Sequence, residues 1–546
     1  MMLLMLLAYT PSYAWPTLGY DKERSSYQAV PGANITGPTV KWRVPVTPSL
    51  QRSCGPLIYD VRGDYAGCEV IYNDGTYVKC LDGNTGSQIW SYALPQPDLA
   101  PNSTPAAGDV DNDGIPEVIV ARQQPGTLIC LNGMNGAVKW SLQVGNGQQI
   151  MSPICLVDVS GDNVPEIVIG QQFSDTVYCF NGNGTVRWKR SLGSAMFISV
   201  NGISAGNVDG AAGNEIVVST TDMTVGVAKC IVCLNADGSV KWRYPSSILA
   251  ATTSTVTATL GDVTGDGRLD VIVYRGDNNR IVALQGSNGS EIWTYSIPNN
   301  SRGYAQSLLF QNLVAWDVTG DGRCEVFLGT GGADDTVTHD TTSWKSWFIC
   351  LNSNGSERWK YEIDYWTYDG GGAICDVDRD GVLEFVKTAD DGFVYVFPAA
   401  SGGSYEWRYD YYDQDGVTEW AVDNPIAVGD IDGDACSEIV LLGSGGLTGG
   451  NNITAIDGPG TGCLLGSEEE MGALLPGITA RSGRGVLYLG IRGFDEAEAR
   501  IWDASGRMIK EIGLRKEPTP IDLPPGIYFI EARHREVVMR GKATVY

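Results

Sequence analysis

Short apolar runs of the EVIV kind (117–120) recur along most of this chain, each bounded by polar turn residues, and they read as short strands. Each is preceded by a strand of small residues, such as STPAA (103–107) or NPIAV (424–428). Each is followed by a second pattern, seen in CLDGNTGSQIW (80–90), CLNGMNGAVKW (130–140), CFNGNGTVRW (179–188), CLNADGSVKW (233–242), ALQGSNGSEIW (283–293) and CLNSNGSERW (350–359). That pattern spells a strand, a tight Asn-Gly or Asp-Gly turn, and a strand ending in Trp. One repeat therefore predicts four short strands.

Between the first and second strands lies an acidic loop. Residues 108–120 read GDVDNDGIPEVIV, with carboxylates at alternating positions that repel one another unless something positive sits among them. The spacing D-x-D-x-D-G-x-x-E offers oxygen ligands at positions 1, 3, 5 and 9 and a backbone carbonyl at 7, a cage for a hard cation such as calcium. Six copies keep the ligand types. They predict metal ligands Asp109, Asp111, Asp113 and Glu117; Asp158, Ser160, Asp162 and Glu166; Asp262, Thr264, Asp266 and Asp270; Asp317, Thr319, Asp321 and Glu325; Asp376, Asp378, Asp380 and Glu384; and Asp430, Asp432, Asp434 and Glu438. Two copies are degraded. NVDGAAGNE from Asn207 has Ala211 at the fifth position, and DVRGDYAGCE from Asp60 carries one extra residue before Glu69.

The eight loops begin at 60, 109, 158, 207, 262, 317, 376 and 430, and the repeat tryptophans are Trp42, Trp90, Trp140, Trp188, Trp242, Trp293, Trp359 and Trp407. A spacing of roughly fifty residues with four strands per unit predicts a propeller blade, hence an all-β, eight-bladed β-propeller over 15–460. Loops and tryptophans are out of register by one, because Trp42 precedes every loop while the loop at Asp430 has no Trp strand after it. The N-terminal strand is therefore expected to complete the eighth blade and so close the ring, removing exposed sheet edges.

The acidic loops resemble the FG-GAP and VCBS repeats of extracellular propellers. The hairpins, with the opening WPTLGYDKERSSYQ, resemble the tryptophan-docking blades of PQQ-like propellers. Together these resemblances cover roughly 15–460. They imply the fold and calcium in several loops, but not a chemistry, since such scaffolds serve adhesion, assembly and catalysis alike.

The net charge of -26 belongs to the propeller, because residues 477–546 hold 12 Lys plus Arg against 9 Asp plus Glu. Such acidity argues against nucleic acid as a partner. MMLLMLLAYTPSYA (1–14), with Ser12 and Ala14 before Trp15, reads as a signal peptide, although a basic n-region is missing. No later segment is apolar enough to span a bilayer, so the mature chain is expected to be soluble, secreted, extracellular or attached to an outer surface, and a monomer. Of the 13 cysteines, Cys80, Cys130, Cys179, Cys233 and Cys350 recur at one repeat position and are expected to be buried thiols. Cys54 with Cys68, and Cys230 with Cys233, remain possible disulfides.

After a linker at 461–476, residues 477–546 alternate apolar and polar positions between turn signals, which predicts a small β-sandwich. Ile501, Trp502, Asp503, Ser505, Gly506 and Arg507, then Leu523, Pro524, Gly526, Ile527 and Tyr528, resemble the C-terminal sorting domain of the type IX secretion system. That resemblance implies a partner in the secretion machinery. The alternative is a generic accessory module.

Three long connections in blades 6 to 8 carry aromatic residues interleaved with aspartates: 329–347, 361–372 and 409–420. Trp344, Tyr365, Trp366, Tyr368, Asp369, Tyr411, Tyr412 and Trp420 are candidates for one ligand-binding patch, of the stacking and hydrogen-bonding kind that holds sugars. They serve equally well as loop packing over the channel mouth. With only His339 and His534 in the chain, a His-based triad or multi-His zinc site in the propeller is excluded. No two cysteines are adjacent, which departs from the quinoprotein dehydrogenases, and no PQQ is expected. The expected function is a calcium-binding surface module for glycan or protein. The alternative is a calcium-dependent polysaccharide-degrading enzyme, lyase-like, with Lys345, His339 or a loop Tyr as proton acceptor, or with an Asp pair acting on a glycosidic bond.

Overall fold

The computed structural model describes the strands and turns between 38 and 458, residues 28 and 35 before them, and the strands between 477 and 545. Segments 1–27, 29–34, 36–37, 47–53, 64–66, 96–102, 193–196, 222–229, 246–257, 300–305, 308–312, 333–345, 364–370, 411–424, 444–451 and 459–476, with breaks of one to three residues elsewhere, lie outside the description. Among the described residues there is no helix. The chain divides into two compact units, 1–463 and 464–546.

The first unit is an eight-bladed β-propeller, each blade a four-stranded antiparallel sheet whose strands follow one another in chain order. Blade 2 illustrates the plan with strands Ala106–Gly108, Glu117–Arg122, Thr127–Asn132 and Val138–Gln143. The eighth sheet differs, because its strands Ala427–Gly429, Glu438–Leu442 and Asn452–Asp457 are joined by Thr39–Pro45 from the other end of the unit. Trp42 lies opposite Ala455 in that antiparallel pairing.

The apolar runs are continuous rather than alternating because each sheet is covered on both faces. In blade 3, Ile167 and Ile169 pack into a cluster with Ile119, Leu128 and Cys130 of blade 2. Val168, between them, points the other way and joins Ile216, Val218 and Val232 of blade 4. Between blades 6 and 7 the same interface is aromatic, with Phe327 stacked on Phe385 at 5.1 Å between ring centroids. The recurring cysteines Cys80, Cys130, Cys179, Cys233 and Cys350 are buried free thiols inside these clusters. Cys54 and Cys68 are buried thiols rather than the disulfide left open by the sequence. Cys436 is disulfide-bonded.

Each outer-strand tryptophan spans to the following blade. Trp90 Nε1 donates to Gly133 O at 2.7 Å, Trp140 to Gly182 O at 2.7 Å, Trp242 to Gly286 O at 2.7 Å and Trp359 to Ala399 O at 2.8 Å. Trp42, from the strand seated on blade 8, donates to Gly83 O of blade 1 at 2.6 Å. The indole lies over the glycine of the next hairpin turn. A Cβ on Gly136 would meet the Trp90 ring at 2.7 Å, and Gly136 adopts a φ of +70° that disfavours any other residue. The repeated Asn-Gly and Asp-Gly turns thus serve two demands at once, a left-handed backbone and room for the neighbouring indole.

The second unit contains a three-stranded sheet, with Val486–Arg492 between Gly477–Gly483 and Thr519–Asp522. A four-stranded sheet places Glu496–Asp503 and Gly526–His534 between Met508–Arg515 and Val537–Val545. Both are antiparallel.

Two adjacent glycines separate the cost of backbone from the cost of docking. Gly402 and Gly403 both have positive φ, 53° and 83°, but a Cβ at 402 would meet Trp359 at 2.1 Å while one at 403 meets nothing within 4 Å. Gly403→Ala is expected to cost about 1–2 kcal/mol, the left-handed penalty alone. Gly402→Ala is expected to cost clearly more in denaturant unfolding, because the indole must leave its carbonyl. Equal costs would show that the indole contact contributes nothing.

Candidate metal loops

In all eight blades the loop between the first and second strands is held by the same bond. One oxygen of the carboxylate at its end accepts the backbone N–H of the residue after the loop's first position: Glu69 from Val61, Glu117 from Val110, Glu166 from Val159, Glu215 from Val208, Asp270 from Val263, Glu325 from Val318, Glu384 from Val377 and Glu438 from Ile431, at 2.7–3.2 Å. These carboxylates are buried, since each begins a strand covered on both faces. The first aspartate caps its loop. Asp109 accepts from Asp113 N and Gly114 N at 3.1 and 3.0 Å, and Asp262 and Asp317 repeat the arrangement. The fifth-position aspartates Asp113, Asp162, Asp266, Asp321, Asp380 and Asp434 each accept the N–H two residues on.

Three loops bring three carboxylates together, with oxygens all within 4.8 Å of one another: Asp109, Asp111 and Glu117 in blade 2; Asp376, Asp378 and Glu384 in blade 7; and Asp430, Asp432 and Glu438 in blade 8. Calcium binds oxygen at roughly 2.3–2.6 Å, so ligands on opposite sides of one ion lie about 5 Å apart, and these clusters fit it. Among the described residues the loops from Asp158, Asp262 and Asp317 gather no such trio. Their third positions are Ser160, Thr264 and Thr319, whose hydroxyls contact the first aspartate at 3.2–3.4 Å and carry no charge. In the degraded loop of blade 4, Asn207 bonds its own loop backbone. The predicted ligand patch of Trp344, Tyr365, Trp366, Tyr368, Asp369, Tyr411, Tyr412 and Trp420 lies outside the described residues, as do His339 and Lys345.

Sequence reasoning missed the positive groups that enter these loops. Opposite each docking Trp the ladder slips by one: Cys130 faces Trp140 and Leu131 faces Val138, leaving Lys139 as the extra residue of a β-bulge. A bulge re-aims the side chain it carries. Lys139 turns into its own blade's acidic loop, with Nζ 2.6 Å from Asp111, 2.9 Å from Asp113 and 2.9 Å from Glu117. The bulge residue Lys41 reaches Asp432 at 2.6 Å and Asp457 at 2.9 Å. Lys241 contacts Asp209 and Glu215, and Arg187 reaches Glu166 at 3.2 Å. The recurring K-W and R-W pairs in AVKW, TVKW, SVKW and TVRW carried this signal.

Electrostatics separate the blades accordingly. Burial disfavours the Lys139 ammonium, yet its bonds to Asp111, Glu117 and Asp113 outweigh that and hold it charged far above the usual range. In blade 7 the cation is replaced by Glu406. Burial pushes Glu384 up to about 9, against the opposing bond from Val377 and with Asp378, Glu406 and Asp376 adding to the rise. Burial likewise raises Glu438, Glu69 to about 7 and Asp270 to about 6. The buried Oε1 of Glu384 has no hydrogen-bond partner among the described residues.

Two family models match parts of the chain: the outer membrane protein assembly factor BamB model over residues 165–342, and an FG-GAP-like repeat over 109–169. No curated protein matches. Among solved structures, the quinohemoprotein alcohol dehydrogenase of Comamonas testosteroni is similar with TM-score 0.60 at 15% identity, covering 87% of this chain and 84% of that one. A europium-containing methanol dehydrogenase aligns with TM-score 0.62 at 11% identity, covering 83% and 99%. The related enzyme of Pseudomonas putida HK5 gives 0.61 at 14% identity, covering 87% and 84%. At these identities the likeness concerns the fold alone. The chain is an eight-bladed β-propeller built from FG-GAP-like and PQQ-like repeats.

Proposed function

We propose that this chain is a secreted or surface-attached propeller, held together by calcium in its acidic loops, that binds an extracellular glycan or protein. The observation that carries the metal reading is the blade 7 cluster. Its three carboxylates point oxygens into one small space, and an oxygen of Glu384 is buried there without a hydrogen-bond partner among the described residues. A buried ionised carboxylate is costly without compensation, and a divalent ion supplies it. In this reading Thr39–Pro45 closes the ring by joining the last sheet to the first blade through Trp42. Residues 477–546 form a sandwich that addresses the chain to secretion machinery, supported by the motif from Ile501 to Tyr528. Ligand binding falls to the aromatic connections of blades 6 to 8, and the chain carries no PQQ.

Calcium removal tests the metal role. Chelation is expected to lower the melting temperature well beyond any effect of ionic strength, and calcium is expected to restore it. An unchanged melting temperature would end the metal reading.

The pH dependence of the chelated protein follows from Glu384. Its folded value of about 9 lies above the ordinary 4.5, so its neutral form favours the fold and that contribution is lost as pH rises toward 9. Glu69 and Asp270 titrate by about 7 and 6, which leaves the upper part of the range to Glu384 and Glu438. Chelated Glu384→Gln is therefore expected to lose less stability between pH 7 and 9 than the chelated parent. Parallel curves would remove Glu384 from the account.

The binding role is tested on a glycan array, with Trp344→Ala and Trp366→Ala expected to abolish whatever signal the parent gives. A parent that binds nothing there but releases unsaturated sugars from uronic-acid polysaccharides, or that reduces dye when given PQQ and a primary alcohol, would replace the binding module with an enzyme.

A further inference from the structure

The loops differ in one respect that their ligand spacing does not reveal: what the bulge beside the docking Trp sends into them. In blade 2 the ammonium of Lys139 contacts Asp111, Asp113 and Glu117, three of the four side chains that the spacing assigns to a metal. A second cation entering this cage meets a positive charge already seated 2.6–2.9 Å from three of the oxygens it would need, and like charges at that range repel. Arg187 in blade 3 and Lys241 in blade 4 likewise reach Glu166 Oε1 and Glu215 Oε1 from the same bulge position.

Blade 7 reverses the sign. The residue before Trp407 is Glu406, whose N–H donates to Val396 O at 2.8 Å while Trp407 faces Val396 in the ladder. It interacts with Asp378, Asp380 and Asp376 rather than neutralising them. Glu384 is 0% exposed, and its Oε1, the atom that Lys139 satisfies on Glu117 in blade 2, has no hydrogen-bond partner among the described residues. Arg379, inside the loop, lies outside the described residues. Blade 8 is intermediate, with Lys41 on Asp432 while Glu438 Oε1 stays buried without a hydrogen-bond partner among the described residues.

We propose that the bulge residue selects the cation of its loop: Lys139 serves as the built-in cation of blade 2, and Glu406 leaves blade 7 to take a divalent ion held by Asp376, Asp378 and Glu384. This rests on the calcium reading above and adds which loops the ion enters. The ammonium neutralises its cage permanently, at any calcium concentration. The blade 7 cage depends on supply.

The test counts calcium bound per full-length chain, by equilibrium dialysis and elemental analysis, in the parent, Lys139→Met and Glu406→Lys. Lys139→Met keeps the apolar stem and is expected to bind one more ion than the parent. Glu406→Lys is expected to bind one fewer. Should Lys139→Met fail to fold, Lys139→Gln replaces it with the same expectation. A parent count above zero that either folded substitution leaves unchanged overturns the selection rule and leaves the calcium reading standing. A parent count of zero overturns the calcium reading, and with it the ion of blade 7.

Discussion

The docking of each outer-strand indole on the next blade's turn is the contact on which the rest of this fold depends. It asks several things of one short segment. The turn must be tight, its glycine must be left-handed and lack a side chain, and a carbonyl must face the indole N–H. Seven tryptophans meet those terms, from Trp42 on Gly83 to Trp359 on Ala399. A net gain of about 0.5–1.5 kcal/mol per hydrogen bond is small, but the ring also covers the apolar rim of each interface. Trp407 is the exception, for its Nε1 has no partner among the described residues, and residues 459–476 lie outside them.

The same strand that places the indole also places a charge. Because the ladder slips beside the Trp, the preceding residue is lifted out of the pairing and turned toward the acidic loop at the end of its own sheet. Docking and neutralisation are thereby coupled in sequence, one residue apart. In blades 2, 3 and 4 this sets a cation beside the carboxylate buried at the start of the second strand, whereas the equivalent residue is Ile89 in blade 1 and Ile292 in blade 5. The buried oxygen that accepts the backbone N–H fixes the loop in every blade, and the other oxygen is where the blades diverge.

Strand identity was legible because both faces of each sheet are covered, so that runs such as EVIV need no alternation to be recognised. The acidic loops were legible because each ligand type repeats at fixed spacing, and among the six copies that keep the ligand types the three clusters of blades 2, 7 and 8 are those with aspartate at the third position. Their cations were hidden for a topological reason. Lys139 is separated from Glu117 by 22 residues, and the two meet only because a four-stranded meander folds its last strand back over its first loop. Spacing within a loop cannot report a group delivered by a bulge in another strand. The difference between Lys139 and Glu406 becomes meaningful only when the bulge is seen.

Where calcium is the neutralising ion, it also has a location relative to the longest connections. Segments 364–370 and 411–424, which carry most of the aromatic candidates, enter and leave blade 7 in the chain. The blade between them rests on the aromatic interface of Phe327, Phe348, Phe385 and Phe397 on one side and carries the cluster of Asp376, Asp378 and Glu384 at its end. Fixing that loop with an ion ties the first two strands of the blade together, Ala373–Cys375 to Glu384–Thr388, and the first of these is where the chain returns from 364–370. On the proposal above, a cage filled by its own lysine is neutralised whatever the calcium supply, whereas one filled by a dissociable ion loses its neutralising charge when the ion leaves. On that proposal the single glutamate before Trp407 leaves blade 7 dependent on calcium, while the cage of blade 2 is neutralised by Lys139.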